Sequence, residues 1–361
     1  MAHGMILDYL QYAPSLGGEP MLAEHAAVIG RTTIDARSAL REHATVRADG
    51  EAIRVGANAW FGEHATVHIA DQIRGAVIGD DVTIGRYGIA HACTLGNGVV
   101  IGESSAVMDD ARVGDCAVIA GDSVVPPRKQ LPGGFLYSGH PAKPVRAITR
   151  DEAMAFGASL RSGRPITELA SRRLPAWSEL LRALPSGGSA RPLNGRTPRV
   201  ADAFVAPTAI VAGDVEMQPD SSVFFGCAVC AGDGRIVIGT RTNVQDNCIL
   251  ETDRRRGELV LGSGVTIGHN VQIGAGSIGD DALIGMGSRV GDGVVVERGG
   301  CIGAGAWVGP GTRVRADWIW AGRPARPFRE LKPEERVEFA RARDIYVTYS
   351  KEYRKALRFA S

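Results

Sequence analysis

Residues 236–285 read IVIGTRTNVQDNCILETDRRRGELVLGSGVTIGHNVQIGAGSIGDDALIG. An aliphatic residue followed by glycine returns about every six positions: Ile238-Gly239, Ile267-Gly268, Ile273-Gly274, Ile278-Gly279 and Ile284-Gly285. Six matches neither the 3.6-residue period of a helix nor the alternation of a half-buried strand. It is the period of a parallel β-helix, in which each hexapeptide forms one side of a triangular coil. The aliphatic side chain points inward onto its equivalents in neighbouring coils, and small residues turn the corners.

An offset of 183 residues lays Ile101-Gly102 on Ile284-Gly285, Val55-Gly56 on Ile238-Gly239, and Gly139-His140-Pro141-Ala142 on Gly322-Arg323-Pro324-Ala325. It holds without a gap from about Ala23 to Arg146, so the chain is an internal duplication. The expected organisation is a first β-helix domain over 1–148, with 1–20 as a lead-in that the second copy lacks. Helices and a Gly/Pro/Ser-rich linker follow over 149–198, then a second β-helix domain over 199–330 and a C-terminal helix over 331–361. Thr149-Arg150-Asp151-Glu152 has the form of a capping box and predicts a helix to about Arg161. A second helix is expected from Ile166 to Leu184, and Pro185–Pro198 as linker. In the C-terminal helix Pro333 suits the first turn, and Val337, Phe339, Ala340, Ile345, Tyr346 and Tyr349 form a stripe to dock.

With 41 basic and 40 acidic residues the chain has no nucleic-acid footprint. No apolar run approaches the ~18 residues of a membrane span. The N-terminus lacks the basic start and long apolar core of a signal peptide, so a cytoplasmic location is expected. The six cysteines, including Cys227 and Cys230, read as small buried residues of the coils.

Asn243-Val244-Gln245-Asp246, followed by an extended segment and Thr266-Ile267-Gly268-His269, resembles the signature of the γ-class carbonic anhydrases. The Gly-x-Pro-Ala segments after the last coil of each copy resemble that family too. The resemblance implies left-handed coils in trimeric packing, and three histidines holding zinc or iron between neighbouring subunits. Two of those histidines come from one subunit and the third from the next, with the Asn and Gln beside a bound water.

Neither copy carries the full pattern. In the second, Asn243, Gln245, Asp246 and His269 match, while Glu251 and Gly274 stand where the other two histidines belong. In the first, His68 and His91 match, Arg86 replaces the remaining histidine, and Trp60, Gly62 and Glu63 replace Asn, Gln and Asp. The losses are complementary. Hexapeptide spacing puts Asn243, Gln245 and His269 on one coil face, the side opposed in the family to the two-histidine side. The expected metal ligands are therefore His68, His91 and His269, at an interface between a first and a second domain, with Gln245 and Asn243 as catalytic groups. Zinc suits three neutral imidazoles with an open fourth position, and iron or cobalt fits the same set. In the mechanism the resemblance implies, a metal hydroxide attacks CO2 or another carbonyl. Arg47 and Asp49 resemble the family's Arg-Gly-Asp segment and are expected, with Asp246 and Arg86, at the interface or beside substrate. His3, His25, His43, His64 and His140 match no ligand column; His64 is a candidate for proton transfer to the site.

The partner expected is a small-molecule substrate, in a homo-oligomer or a pseudo-trimer. One chain fills two places of a threefold ring, so the pseudo-trimer needs a single-domain homologue in the third. Two other readings stay open: a hexapeptide acyltransferase using acyl-CoA, and a non-catalytic assembly subunit whose sites have degenerated.

Overall fold

A computed structural model describes residues 4–171 and 190–359. The chain divides into two compact units, Met1–Leu174 and Pro175–Ser361. Each is a parallel β-solenoid of very short strands. In the first unit Ile84 registers on Ile101 and Ile101 on Ile119; in the second Ile267 registers on Ile284 and Ile284 on Ile302. Two-residue strands are stable here because each coil offers its backbone groups to the coils above and below. In the first unit the inward Val, Ile and Ala columns form one continuous dry core.

The second unit has three sheets of 7, 7 and 8 strands. In the first unit two faces merge into one 12-stranded sheet, because strands Ala27–Ile34 and Thr45–Val55 run round a corner. Gly30 makes that turn at φ +68, where a Cβ would fall on the carbonyl oxygen of Ala48. The lead-in joins the coils: Met5–Leu7 and Ser15–Leu16 both pair with Ala27–Ile34. The end of the expected linker likewise belongs to the second unit, where Ala190–Arg191 pairs with Val211–Ala212.

Helix α1 spans Arg150–Arg161 and has the capping box that the sequence predicts. It lays Ala153, Phe156 and Leu160 on Val100, Val118 and Leu136. The helix expected from Ile166 is absent over 166–171, which is turn, and residues 172–189 lie outside the described ones. Helix α2 spans Pro333–Phe359. The duplication carries over the clamp at the start of both helices: Arg146 bonds Glu152, and Arg329 bonds Glu335 through both guanidinium nitrogens at 2.6 and 2.7 Å. The Arg329 hydrogen bonds, with that of the Lys332 amide, hold the Glu335 carboxyl down to about 2. Tyr346, Tyr349 and Tyr353 dock α2, Tyr353 packing against Phe204, Phe224 and Phe225. Val337, expected in that stripe, is 69% exposed; it lies more than two turns before Tyr346, where the helix meets its aromatic bed. Among the described residues no helix is long and apolar enough to cross a membrane.

One corner of the first unit carries an aromatic ladder. His25, His43, His64 and Tyr87 occupy the same left-handed turn position in successive coils, with φ of 58, 59, 55 and 56. Their rings stack at 4.9, 4.7 and 4.7 Å. Burial, with His64 and His25 on either side, holds the His43 pKa well below its ordinary 6.5. The unfolded chain then takes up that proton first, so the contribution is fully present above about pH 6.5 and is lost as pH falls below it. His43→Asn keeps a residue suited to positive φ and removes the titration. Its Tm should fall less than the wild type's between pH 7 and pH 5. Parallel Tm–pH curves would mean that His43 does not set the acid limit.

Candidate functional site

In the first unit His68 and His91 end strands Thr66–His68 and Ile89–His91, which pair in register, so the imidazoles stand side by side on one face. His68 Nδ1 and His91 Nε2 lie 3.2 Å apart. The other nitrogen of each ring meets a carboxylate: His68 Nε2 lies 3.0 Å from Asp49 Oδ1, and His91 Nδ1 pairs with Asp109. A carboxylate on one ring nitrogen fixes the tautomer and turns the basic lone pair of the other outward, as metal-binding histidines require. Asp49 is itself wholly buried and paired with the buried Arg47. The Arg47–Asp49 pair thus sits behind His68, and Asp49 touches the site's histidine directly.

In the second unit His269 is fully buried, with Nδ1 at 3.1 Å from Asp246 Oδ2. Asp246 also accepts from the Phe225 amide at 3.1 Å. Asn243 Nδ2 donates to Thr266 Oγ1 at 3.1 Å, and Gln245 Nε2 reaches Asn243 Oδ1 at 3.3 Å. That chain of donors leaves Gln245 Oε1 as the carbonyl free to accept. Asp246 is thus a partner of the histidine.

Two residues that sequence reasoning missed belong to these clusters. Asp109 lies 18 residues after His91, one coil further on, and that spacing was the available signal. Tyr346 of α2 brings its hydroxyl to 3.4 Å from His269 Nε2. It was read only as packing, and no spacing connects it with His269. Asp109 is 46% exposed, so Asp109→Asn should leave stability unchanged while weakening metal binding about 10–100-fold in a competition titration. Unaltered affinity would show that His91 needs no carboxylate.

Two of the mismatched positions are engaged by carboxylates. Arg86 is held by the buried Glu103 at 2.6–2.7 Å. A Cβ at Gly274 would fall on Asp292 Oδ1, which accepts from the Ala275 amide at 3.0 Å. His64 stacks within the corner ladder between His43 and Tyr87. The thiols are structural: Cys227 and Cys248 are buried and bond to the Gln245 and Gly268 carbonyls at 2.8 and 3.0 Å. Burial pushes Cys301 up to about 12.

No family model matches the chain. The mitochondrial gamma carbonic anhydrase 2 of Arabidopsis thaliana is 36% identical over 151 residues, 40% of this chain and 54% of that protein. This chain therefore spans about half the length of the plant relatives it matches. A carbonic anhydrase of Geobacillus kaustophilus is 37% identical over 167 residues, 46% of this chain and 91% of the relative. Among solved structures, a hexapeptide transferase family protein from Anaplasma phagocytophilum shares 34% identity over 46% of this chain and 98% of its own, with a TM-score of 0.44. Joined to the paired, carboxylate-backed histidines and the Asn-x-Gln-Asp strand, the nearly full-length match to the Geobacillus protein is decisive: the chain belongs to the γ-class carbonic anhydrase-like family of hexapeptide-repeat proteins.

Proposed function

We propose that the protein is a metal-dependent lyase or hydrolase of carbonic anhydrase type, with a composite centre whose ligands are His68 and His91 of a first domain and His269 of a second. The observation that carries this reading is the His68–His91 pair. Its facing nitrogens are 3.2 Å apart, and each opposite nitrogen is engaged by a carboxylate. His269, backed by Asp246, is the matching half from the other copy. Three neutral imidazoles suit zinc, with iron or cobalt as substitutes. Bound there, the cation supplies Lewis acidity that brings a water's pKa to about 7.

The chain's own residues do the rest. Gln245 Oε1 accepts from the attacking water and aims its lone pair at the carbon of CO2 or of another small carbonyl substrate. Asn243, anchored on Thr266, fixes which end of the Gln245 amide faces that water. Asp49, Asp109 and Asp246, each on one ring nitrogen, fix the tautomer and orientation of the three imidazoles. Because the two halves lie on different copies, the working assembly is a ring in which unlike domains meet. A single-domain homologue would complete a pseudo-trimer.

The test is metal content by mass spectrometry on protein purified without chelator, with native mass and a stopped-flow CO2 hydration assay. About one zinc or iron per chain with hydration activity is expected. Metal-free protein that forms rings of like domains would overturn the reading. It would favour an assembly subunit, to which the closure of Gly274 by Asp292 and of Arg86 by Glu103 already lends support. Metal-free protein that binds acyl-CoA would instead point to a transferase.

A further inference from the structure

The first unit holds a cavity of about 330 Å³ where the second unit keeps its catalytic amides and histidine. It is lined by Arg41, Trp60, Glu63, Arg86 and Glu103, and closed at one end by Arg161 and the end of α1. At the offset of 183, the first five correspond to Phe224, Asn243, Asp246, His269 and Met286. All five differ between the copies. The shape differs as well. In the second unit α2 runs on for 27 residues and sets Tyr346 over this place, packed edge-on to Phe224 at 5.1 Å. In the first unit α1 ends after 12 residues, and among the described residues the space stays open.

The polar groups there divide into committed and available. Arg161 spends its guanidinium on Thr83 Oγ1, Asn58 and the Asp81 carbonyl, so it is structural. Glu103 binds Arg86 and the Ser171 amide. Arg86 gives Nε and Nη2 to Glu103, which leaves Nη1 to donate. Among the described residues Arg41 pairs only with the adjacent, half-exposed Glu42, at 3.3 Å. Among the described residues, Glu63 has no side-chain hydrogen bond or ion pair. Two guanidinium donors, one uncommitted carboxylate and an indole thus line one small space.

We propose that this cavity is a binding site for a small zwitterion of amino-acid or betaine type. Its carboxylate is taken by Arg86 and Arg41, and its ammonium by Glu63 and the face of Trp60. A guanidinium is the natural partner of a carboxylate, and an indole attracts a quaternary or primary ammonium. The volume lies at the lower end of small-molecule sites, the size of a single amino acid. An anion lacking the ammonium would leave Glu63 facing it, and a cation lacking the carboxylate would meet Arg86. The charge pattern therefore selects both ends together. The site uses none of the metal-binding histidines and stands independently of the proposed reaction.

The experiment is isothermal titration of the full chain with glycine betaine, γ-aminobutyrate and glycine, with butyrate and choline as single-charge controls. At least one zwitterion should bind, with at least about tenfold preference over both controls. Glu63→Gln, which breaks no side-chain hydrogen bond or ion pair among the described residues, should lose at least about tenfold of that affinity with Tm unchanged; Trp60→Leu should lose a similar factor, with a lower Tm because Trp60 also packs on the cluster under α1. If no zwitterion binds, or butyrate binds as tightly and Glu63→Gln binds as wild type, the proposal is overturned.

Discussion

His91→Ala should lower metal affinity by more than about 100-fold, since losing a ligand costs more than losing the carboxylate behind it. Hydration activity should fall to background with it. The same loss is expected from His269→Ala, although that residue lies in the other repeat and has its own carboxylate, Asp246. His25→Asn, in the corner ladder, should leave metal content unchanged and serves as the control. Metal analysis of the three variants, purified side by side, decides the matter. If His269→Ala keeps its metal while His91→Ala loses it, the first domain's pair holds the ion alone and the composite centre is wrong.

Asp49→Ala should be the most destabilising single change near the site. Asp49 and Arg47 are both wholly buried, on a strand in the middle of the 12-stranded sheet. Removing the carboxylate takes its ion pair from a guanidinium that stays charged in the core. Breaking a buried pair from one side costs about 3–5 kcal/mol. Asp49→Asn keeps the shape and an acceptor and should cost less. With two units the unfolding is not one two-state transition, so the urea midpoint should be followed with a probe in the first unit. A shift below about 1 kcal/mol for Asp49→Ala would mean that water or another group takes over the carboxylate's place.

The solenoid was legible because a six-residue period has few other physical meanings, and because the two copies check each other. The histidine columns were legible for the same reason: His68 and His91 fall where strands in register place them side by side. What stayed hidden depends on contacts between coils or on helix register. Asp109 meets His91 from the next coil, and Glu103 meets Arg86 likewise, 17 residues on. These partners become visible only once the length of each coil is known, and insertions such as Asp253–Gly257 change that length. Tyr346 reaches His269 from a 27-residue helix whose rotation about its own axis is set by Phe204, Phe224 and Phe225. Nothing local fixes that rotation.

The seating of Asp292 over Gly274 also restricts the routes by which this sequence can change. Asp292 corresponds to Asp109 at the same offset, and with glycine at 274 its carboxylate occupies the space that a side chain there would need. A single reversion of Gly274 to histidine would drive a side chain into that carboxylate and forfeit its bond to the Ala275 amide. Regaining a two-histidine face in the second repeat therefore takes at least two coordinated changes, each unfavourable alone. The difference between the repeats at this place is therefore steric as well as chemical: restoring the residue alone does not restore the room for it.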